Sequence, residues 1–245
     1  MVIRPAVFSA FSGIAVGVST RQGGVSLPPY HSLNLDNRGP DAASNRDENR
    51  NRFCAELGFG AEALVRSLQI HETNILVAEF PGIFEGFDAF VTQQKGLLLA
   101  VSVADCTPIL IYDYKNKAIG AVHAGWRGTV AGIVEKTLEK MRELFGTSGE
   151  DCWAYIGPSI DECSFEVGEE VAEQFDVAFK QWNSDRKKYF VDLKKANAAQ
   201  LRRFNIPPVQ IEISPLSTVL NNDQFFSYRG EQGETGRMLA GIGLI

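Results

Sequence analysis

The chain has 245 residues, of which 44% are hydrophobic and 22% charged, the proportions of an ordinary globular protein. Its formal net charge of -6 argues against a broad basic surface for nucleic acid or anionic membrane, but leaves room for a local basic pocket that suits a small phosphate. Four cysteines with no C-x-x-C pair do not make a disulfide framework, so a reducing, cytoplasmic compartment is expected.

In chain order, "MVIRPAVFSAFSGIAVGVST" carries a basic residue ahead of an apolar stretch, in outline like a signal peptide. Ser9, Ser12, Gly13 and Gly17 interrupt it, and the alternation suits two short strands joined by a turn. No run reaches the ~18 apolar residues of a membrane span. A polar loop rich in glycine and proline follows, then a helix with Ser44 or Asn45 as N-cap, in which Cys54 reads as a buried, inert thiol. Strands are expected at "ALVRSLQIH", "FDAFVT", "GLLLAVSVADC", "PILIYD", "AIGAVHA", "CWAYIG", "VQIEIS" and "QFFSYR", with "MLAGIGLI" as a final strand and no long disordered tail at either end. Helical spacing of Val130, Ile133, Val134, Leu138, Met141 and Phe145 predicts one helix from about Thr129 to Phe145, with others near Gly168–Phe179 and Asp192–Phe204. Strands outnumber helices without regular alternation, which favours an α+β fold, mixed sheets flanked by helices, over a doubly wound sheet. No repeat or linker marks a boundary, so residues 1–245 are read as a single domain.

Three residues stand where buried strands give way to loops: His71 after "LVRSLQI", Cys106 after "LLLAVSVAD", and His123 in "AIGAVHA". Strand ends are rigid and can converge on one point. Two imidazoles and a thiolate suit zinc, with the fourth tetrahedral position left for water or substrate. Their spacing matches no short zinc motif, so two core histidines and a small apolar cysteine remain an equal alternative. "HAGWRG" between a strand and the long helix favours an anion, through free N–H groups and the helix end, with Arg127 adding charge. Arg21 in "TRQGG" is a second candidate clamp, or else a solvated surface arginine.

Six segments together, "TRQGGVSLPPYHSLNL", "SLQIH", "ADCTPILIYD", "AVHAGWRG", "IGPSIDECSFEVG" and "FFSYR…TGR", resemble the YfiH family. Its members have been labelled multicopper polyphenol oxidases and, elsewhere, purine nucleoside phosphorylases related to human laccase domain-containing protein 1. The resemblance implies a layered α+β sandwich, one zinc held by His71, Cys106 and His123, and cleavage of purine nucleosides by phosphate. It also implies adenosine deaminase and methylthioadenosine phosphorylase side activities. Phe165, Ser217 and Gly230 stand where the family more often has tyrosine, cysteine and arginine; none is a proposed metal ligand.

Phosphorolysis requires a phosphate near the anomeric carbon, here expected from Arg21, Arg127 and the backbone after His123. Asp105 and Glu166 are the candidate general acids, and Gln69 and Asn34 the candidate hydrogen-bond partners of substrate. The zinc deaminase signature H-x-E…P-C-x-x-C is absent, so any deamination uses a different architecture. Three rival readings use the same residues. A copper-binding polyphenol oxidase is one, although a multicopper centre needs more histidines than the one spare, His31; a single copper stays open as an alternative metal. A cysteine hydrolase with Cys106 as nucleophile, His123 as base and Asp105 or Gln69 as orienting group is the second. A small-molecule sensor without turnover is the third. The expected partners are nucleoside and phosphate, with no nucleic acid and no membrane; the oligomeric state is not legible.

Overall fold

A computed structural model describes residues 2–245. The strands and helices are, in order, β1 (Val2–Ile3), β2 (Ile14–Ser19), α1 (Ala43–Glu56), β3 (Leu64–Leu68), β4 (Ile75–Val77), β5 (Gly82–Glu85), β6 (Ala89–Thr92), β7 (Leu98–Val103), β8 (Thr107–Asp113) and β9 (Ala118–Ala124). They continue as α2 (Trp126–Val130), α3 (Ile133–Phe145), β10 (Cys152–Ile156), β11 (Glu166–Val167), α4 (Glu169–Ala172), β12 (Lys180–Asn183), β13 (Lys188–Val191), α5 (Leu193–Arg203), β14 (Ile211–Ile213) and β15 (Met238–Leu244). None of these helices is long and apolar enough to cross a membrane.

Two six-stranded mixed sheets pack face to face, with orders β1-β2-β15-β7-β3-β5 and β14-β10-β8-β9-β6-β4; a small third sheet, β11-β13-β12, lies apart. The period-2 side-chain alternation of each central strand builds the layers. In β7, Leu99 and Val101 face the other sheet, where they join Leu110 and Tyr112 of β8 and Ile119 and Ala121 of β9. The intervening Leu98 and Ala100 pack instead with Phe53 and Cys54 of α1 and with Leu57 just beyond its end. On the second sheet Ile109, Ile111 and Val122 pack outward with Ile133, Leu138 and Met141 of α3 and Leu201 of α5. The result is a helix–sheet–sheet–helix sandwich, and it explains why the central strands are apolar on both faces. Both faces are covered.

The α+β expectation therefore holds, as does that of two paired N-terminal strands, whose register runs Val2↔Ser19. β15, the expected final strand, lies between β2 and β7. Several local expectations are corrected. The helix predicted over Thr129–Phe145 starts at Trp126 and is cut at Gly132, whose φ of 76° no helix accommodates; hydrophobic spacing does not register a backbone break of one residue. α1 begins at Ala43 with neither Ser44 nor Asn45 as cap. Only Glu169–Ala172 of the Gly168–Phe179 segment is α-helical. "QFFSYR" forms turns rather than a strand, with Phe225 and Phe226 buried as loop anchors.

Nothing lies within 4 Å of a Cβ added at Gly132, so only the left-handed backbone opposes a side chain there. Gly132→Ala should cost about 1–2 kcal/mol, read as a lower urea midpoint; an unchanged midpoint would show that the turn tolerates a side chain.

Candidate metal centre

At one end of the sandwich the loop after β3, the β7–β8 turn and the last residues of β9 converge. His71, Cys106 and His123 offer ligand atoms that all lie within 4.8 Å of one another. The separation of His71 Nδ1 from Cys106 Sγ is 4.0 Å, and the two imidazoles meet edge-on with centroids 4.8 Å apart. His71 is exposed, Cys106 half-buried and His123 buried.

Each ligand is placed by a local cause. His123 shares the parity of Ile119 and Ala121 and so projects on the sheet-facing side of β9. His71 lies beyond the end of β3 in the left-handed region, with φ 63°, and Asp105, before Cys106, does likewise with φ 85°. Gly125 must lack a side chain: a Cβ there would sit 2.9 Å from His71 Nδ1 and 3.2 Å from Cys106 Sγ. The donor set, the mutual distances and this glycine-lined hollow fit a single metal ion.

Asp88, immediately before β6 and fully buried, organises the centre. Its carboxylate accepts the His123 Nδ1–H at 2.8 Å and the backbone N–H groups of Ile70, His71 and Glu72 at 3.0–3.1 Å. Its main-chain carbonyl also accepts the His123 N–H. With Nδ1 bonded to a carboxylate, Nε2 of His123 is the nitrogen left for a metal. Burial pushes the Asp88 carboxyl up, but the His123 ring and the loop N–H groups outweigh it and hold it below the usual carboxylate range. Sequence reading did not single out Asp88; the available signal was an acid inside the apolar run "GFDAFV".

Without metal, Cys106 and His123 form a charged pair. Burial raises the Cys106 thiol, yet the adjacent His123 and His71 overcome it and bring it down to about 6. Burial likewise disfavours the His123 cation, but Cys106 and Asp88 lift it to about 9. The other cysteines go the opposite way: burial pushes Cys54 up to about 11 and raises Cys152 further, and the hydrogen bond to Asp161 raises Cys163.

The centre opens into a cavity of about 610 Å³, within the size range of small-molecule sites. Trp126, Phe165 and Tyr228 supply aromatic walls, and Arg38, Arg229 and Arg237 supply the cations.

The residues that the sequence offers as general acids and substrate contacts have the following surroundings. Gln69 lines the pocket, but its amide is taken up by Ser102, donating to the carbonyl at 2.9 Å and accepting the N–H at 2.7 Å. Asp105 lines it too, with its carboxylate accepting from Thr218, Ser227 and the Arg229 N–H at 2.6–2.8 Å. It serves there as an acceptor that anchors a distant segment. Arg21 is not a pocket residue: it pairs with Glu231 at 3.1 Å, donates to the carbonyls of His31 and Asn222, and stacks on Phe226. Asn34 is buried, donating to Asp41 and accepting the Arg237 N–H. The Glu166 side chain faces Arg186. Arg127 stacks on Trp126 outside the cavity, and α2 behind it has only five residues, too few for the helix-end field expected of a long helix.

Two measurements check this geometry. Alkylation of metal-free protein by iodoacetamide should be selective for Cys106, with a rate that rises through pH about 6 and levels off by neutrality, because the thiolate exists above that pH. Zinc should protect it, and a midpoint near 8.5, the ordinary thiol value, would contradict the charged pair. Asp88→Asn should weaken zinc affinity roughly 10- to 100-fold, measured by competition with a chromophoric chelator.

Comparison with known proteins bears on the whole chain. The family model described as multi-copper polyphenol oxidoreductase laccase matches residues 15–245. A Bacteroides thetaiotaomicron protein named purine nucleoside phosphorylase is 40% identical over 252 residues, covering 96% of this chain and 93% of its own. A Deinococcus radiodurans protein of the same name is 42% identical over 228 residues, covering 92% and 87%. The crystal structure of YlmD from Geobacillus stearothermophilus superposes with a TM-score of 0.90 at 31% identity, covering 96% and 93%, and that of the Bacillus licheniformis hypothetical protein YfiH with 0.89 at 31%, covering 95% and 93%. With its motifs, its sandwich and its His–Cys–His cluster in place, the chain belongs to the YfiH family, the family described as multi-copper polyphenol oxidoreductase laccase.

Proposed function

We propose that this protein is a zinc-dependent purine nucleoside phosphorylase of the cytoplasm, acting on adenosine, inosine and methylthioadenosine, with adenosine deamination as a side activity. One observation carries the reading: a His–Cys–His centre opens into a nucleoside-sized cavity walled by aromatic rings and arginines, in a chain about 40% identical to proteins named for that activity. In the reaction a phosphate oxygen bonds to the anomeric carbon as the base–sugar C–N bond breaks, giving free base and pentose 1-phosphate.

The three ligands suit a single zinc with one position open. Held by His71, Cys106 and His123, a zinc ion would supply Lewis-acid chemistry toward substrate or water. The chain's own groups do the rest. Trp126, Phe165 and Tyr228 offer faces on which a purine stacks, and Asp88 fixes the ring of His123 and the backbone of His71. A multicopper centre is disfavoured by the ligand supply: two of three histidines are in this cluster, and the third, His31, lies on the loop that receives Arg21.

A second reading rests on the same atoms. Cys106, His123 and Asp88 have the chemistry of a nucleophile, its base and the carboxylate that orients the base. In it Asp88 takes the place foreseen for Asp105 or Gln69, both of which are bonded elsewhere.

The deciding experiment is chromatography of adenosine incubated with zinc-loaded protein, with and without phosphate. Adenine and ribose 1-phosphate should appear only with phosphate and be lost in His71→Ala. Inosine alone would make deamination the main activity. No turnover, together with acylation of Cys106 in zinc-free protein, would favour the hydrolase.

A further inference from the structure

We propose that Arg229 and Arg237, carried on the segment between Ser227 and β15, are the anion-binding residues of the pocket. That an anion binds there follows from the geometry below; that the anion is the phosphate co-substrate rests on the phosphorolysis reading.

Arg38 is turned outward to Glu85 at 3.5 Å, with both side chains largely exposed. Arg229 donates only to main-chain carbonyls, of Ser164 at 3.2 Å and Glu166 at 3.3 Å, and lies 5.8 Å from the Phe165 ring centroid. Arg237 donates to the carbonyls of Thr235 and Gly236 and lies 5.6 Å from the ring centroid of Tyr228. Carbonyls and rings fix the direction of a guanidinium without neutralising it. Among the described residues neither arginine forms an ion pair.

The two acids that line the same cavity, Asp36 and Asp105, form no ion pair with Arg229 or Arg237 among the described residues. The Asp105 carboxylate is occupied by Thr218, Ser227 and the Arg229 N–H, and Asp36 accepts the Arg38 N–H. Two guanidinium groups without an ion-pair partner, lining one cavity in a protein of net charge -6, form a site for a tetrahedral oxyanion.

The segment is also held in position as such a site requires. Arg21 pairs with Glu231, whose carboxylate takes the Ser227 N–H and the Thr235 hydroxyl. Asn34 takes the Arg237 N–H. Asp105 takes the Arg229 N–H one residue before the metal-ligating Cys106. The anion wall and the metal centre are thus registered to each other through a single residue.

The test uses full-length, zinc-loaded protein and inorganic phosphate as the probe, measured by isothermal titration calorimetry. Arg229→Gln and Arg237→Gln should each weaken phosphate binding roughly 10- to 100-fold, with zinc content unchanged. Arg203→Gln, the same charge change beside Glu135 on α5, should leave binding as in the parent. Arg229→Lys and Arg237→Lys, which keep the charge, should recover part of the loss and guard against misfolding. Phosphate binding equal to that of Arg203→Gln in both glutamine variants would overturn the proposal, as would the absence of phosphate binding by the parent protein. Phosphate-dependent turnover whose phosphate KM is unmoved by these substitutions would sink the anion assignment and leave phosphorolysis standing. The expected binding pattern without nucleoside turnover would do the reverse.

Discussion

The centre depends on one buried carboxylate. Asp88 receives four N–H groups, three from the backbone of the loop that carries His71 and one from the ring of His123. A carboxylate taken out of water is stable only when such donors surround it, and here these donors belong to the candidate metal ligands and the loop that carries one of them. The left-handed residue His71 would otherwise have to hold its conformation unaided. The same interaction selects the nitrogen of His123 that faces the site.

The opposite wall of the pocket follows a similar logic with different parts. Arg229 and Arg237 project from a segment with little regular structure, whose shape is imposed by Arg21–Glu231, by Asn34 and by Asp105. Arg21 and Asn34, which sequence reading offered as substrate contacts, and Asp105, offered as a general acid, are thus engaged in holding residues that line the cavity. Polar residues on loops look alike in one dimension whether they touch a ligand or the backbone behind it. Only their partners separate the two cases, and here the partners lie about 100 to 200 positions away.

The family description speaks of multiple coppers, while relatives 40% and 42% identical to this chain are named for nucleoside phosphorolysis. The donor set arbitrates in physical terms. Two imidazoles and one thiolate offer ligand atoms within 4.8 Å of one another, a donor set sized for one ion, and they open into a cavity lined by aromatic rings and arginines. The charged pair of Cys106 and His123 belongs to the same design, since a thiolate is the form that ligates metal.

Amino-acid order by itself determined the layers. Runs such as "AIGAVHA" and "TPILIYD" are apolar on both faces because both faces are covered, and their ends placed His123 and Cys106 at strand termini. The ligand types, the absence of a disulfide framework and the likeness of six ordered segments to one family were legible for the same reason: they reside in residue identity and short-range pattern. The tertiary structure alone decided the rest. It brought Asp88 beneath His71 and His123, closed the amide of Gln69 onto Ser102, and turned Arg21 away to Glu231 while setting Arg229 and Arg237 in the cavity lining. It also broke the helix expected after "HAGWRG" at Gly132. Each of these is a long-range hydrogen bond, an ion pair or a single-residue dihedral angle. None leaves a periodic trace in sequence, because its physical cause lies in a partner far along the chain or in one backbone rotation.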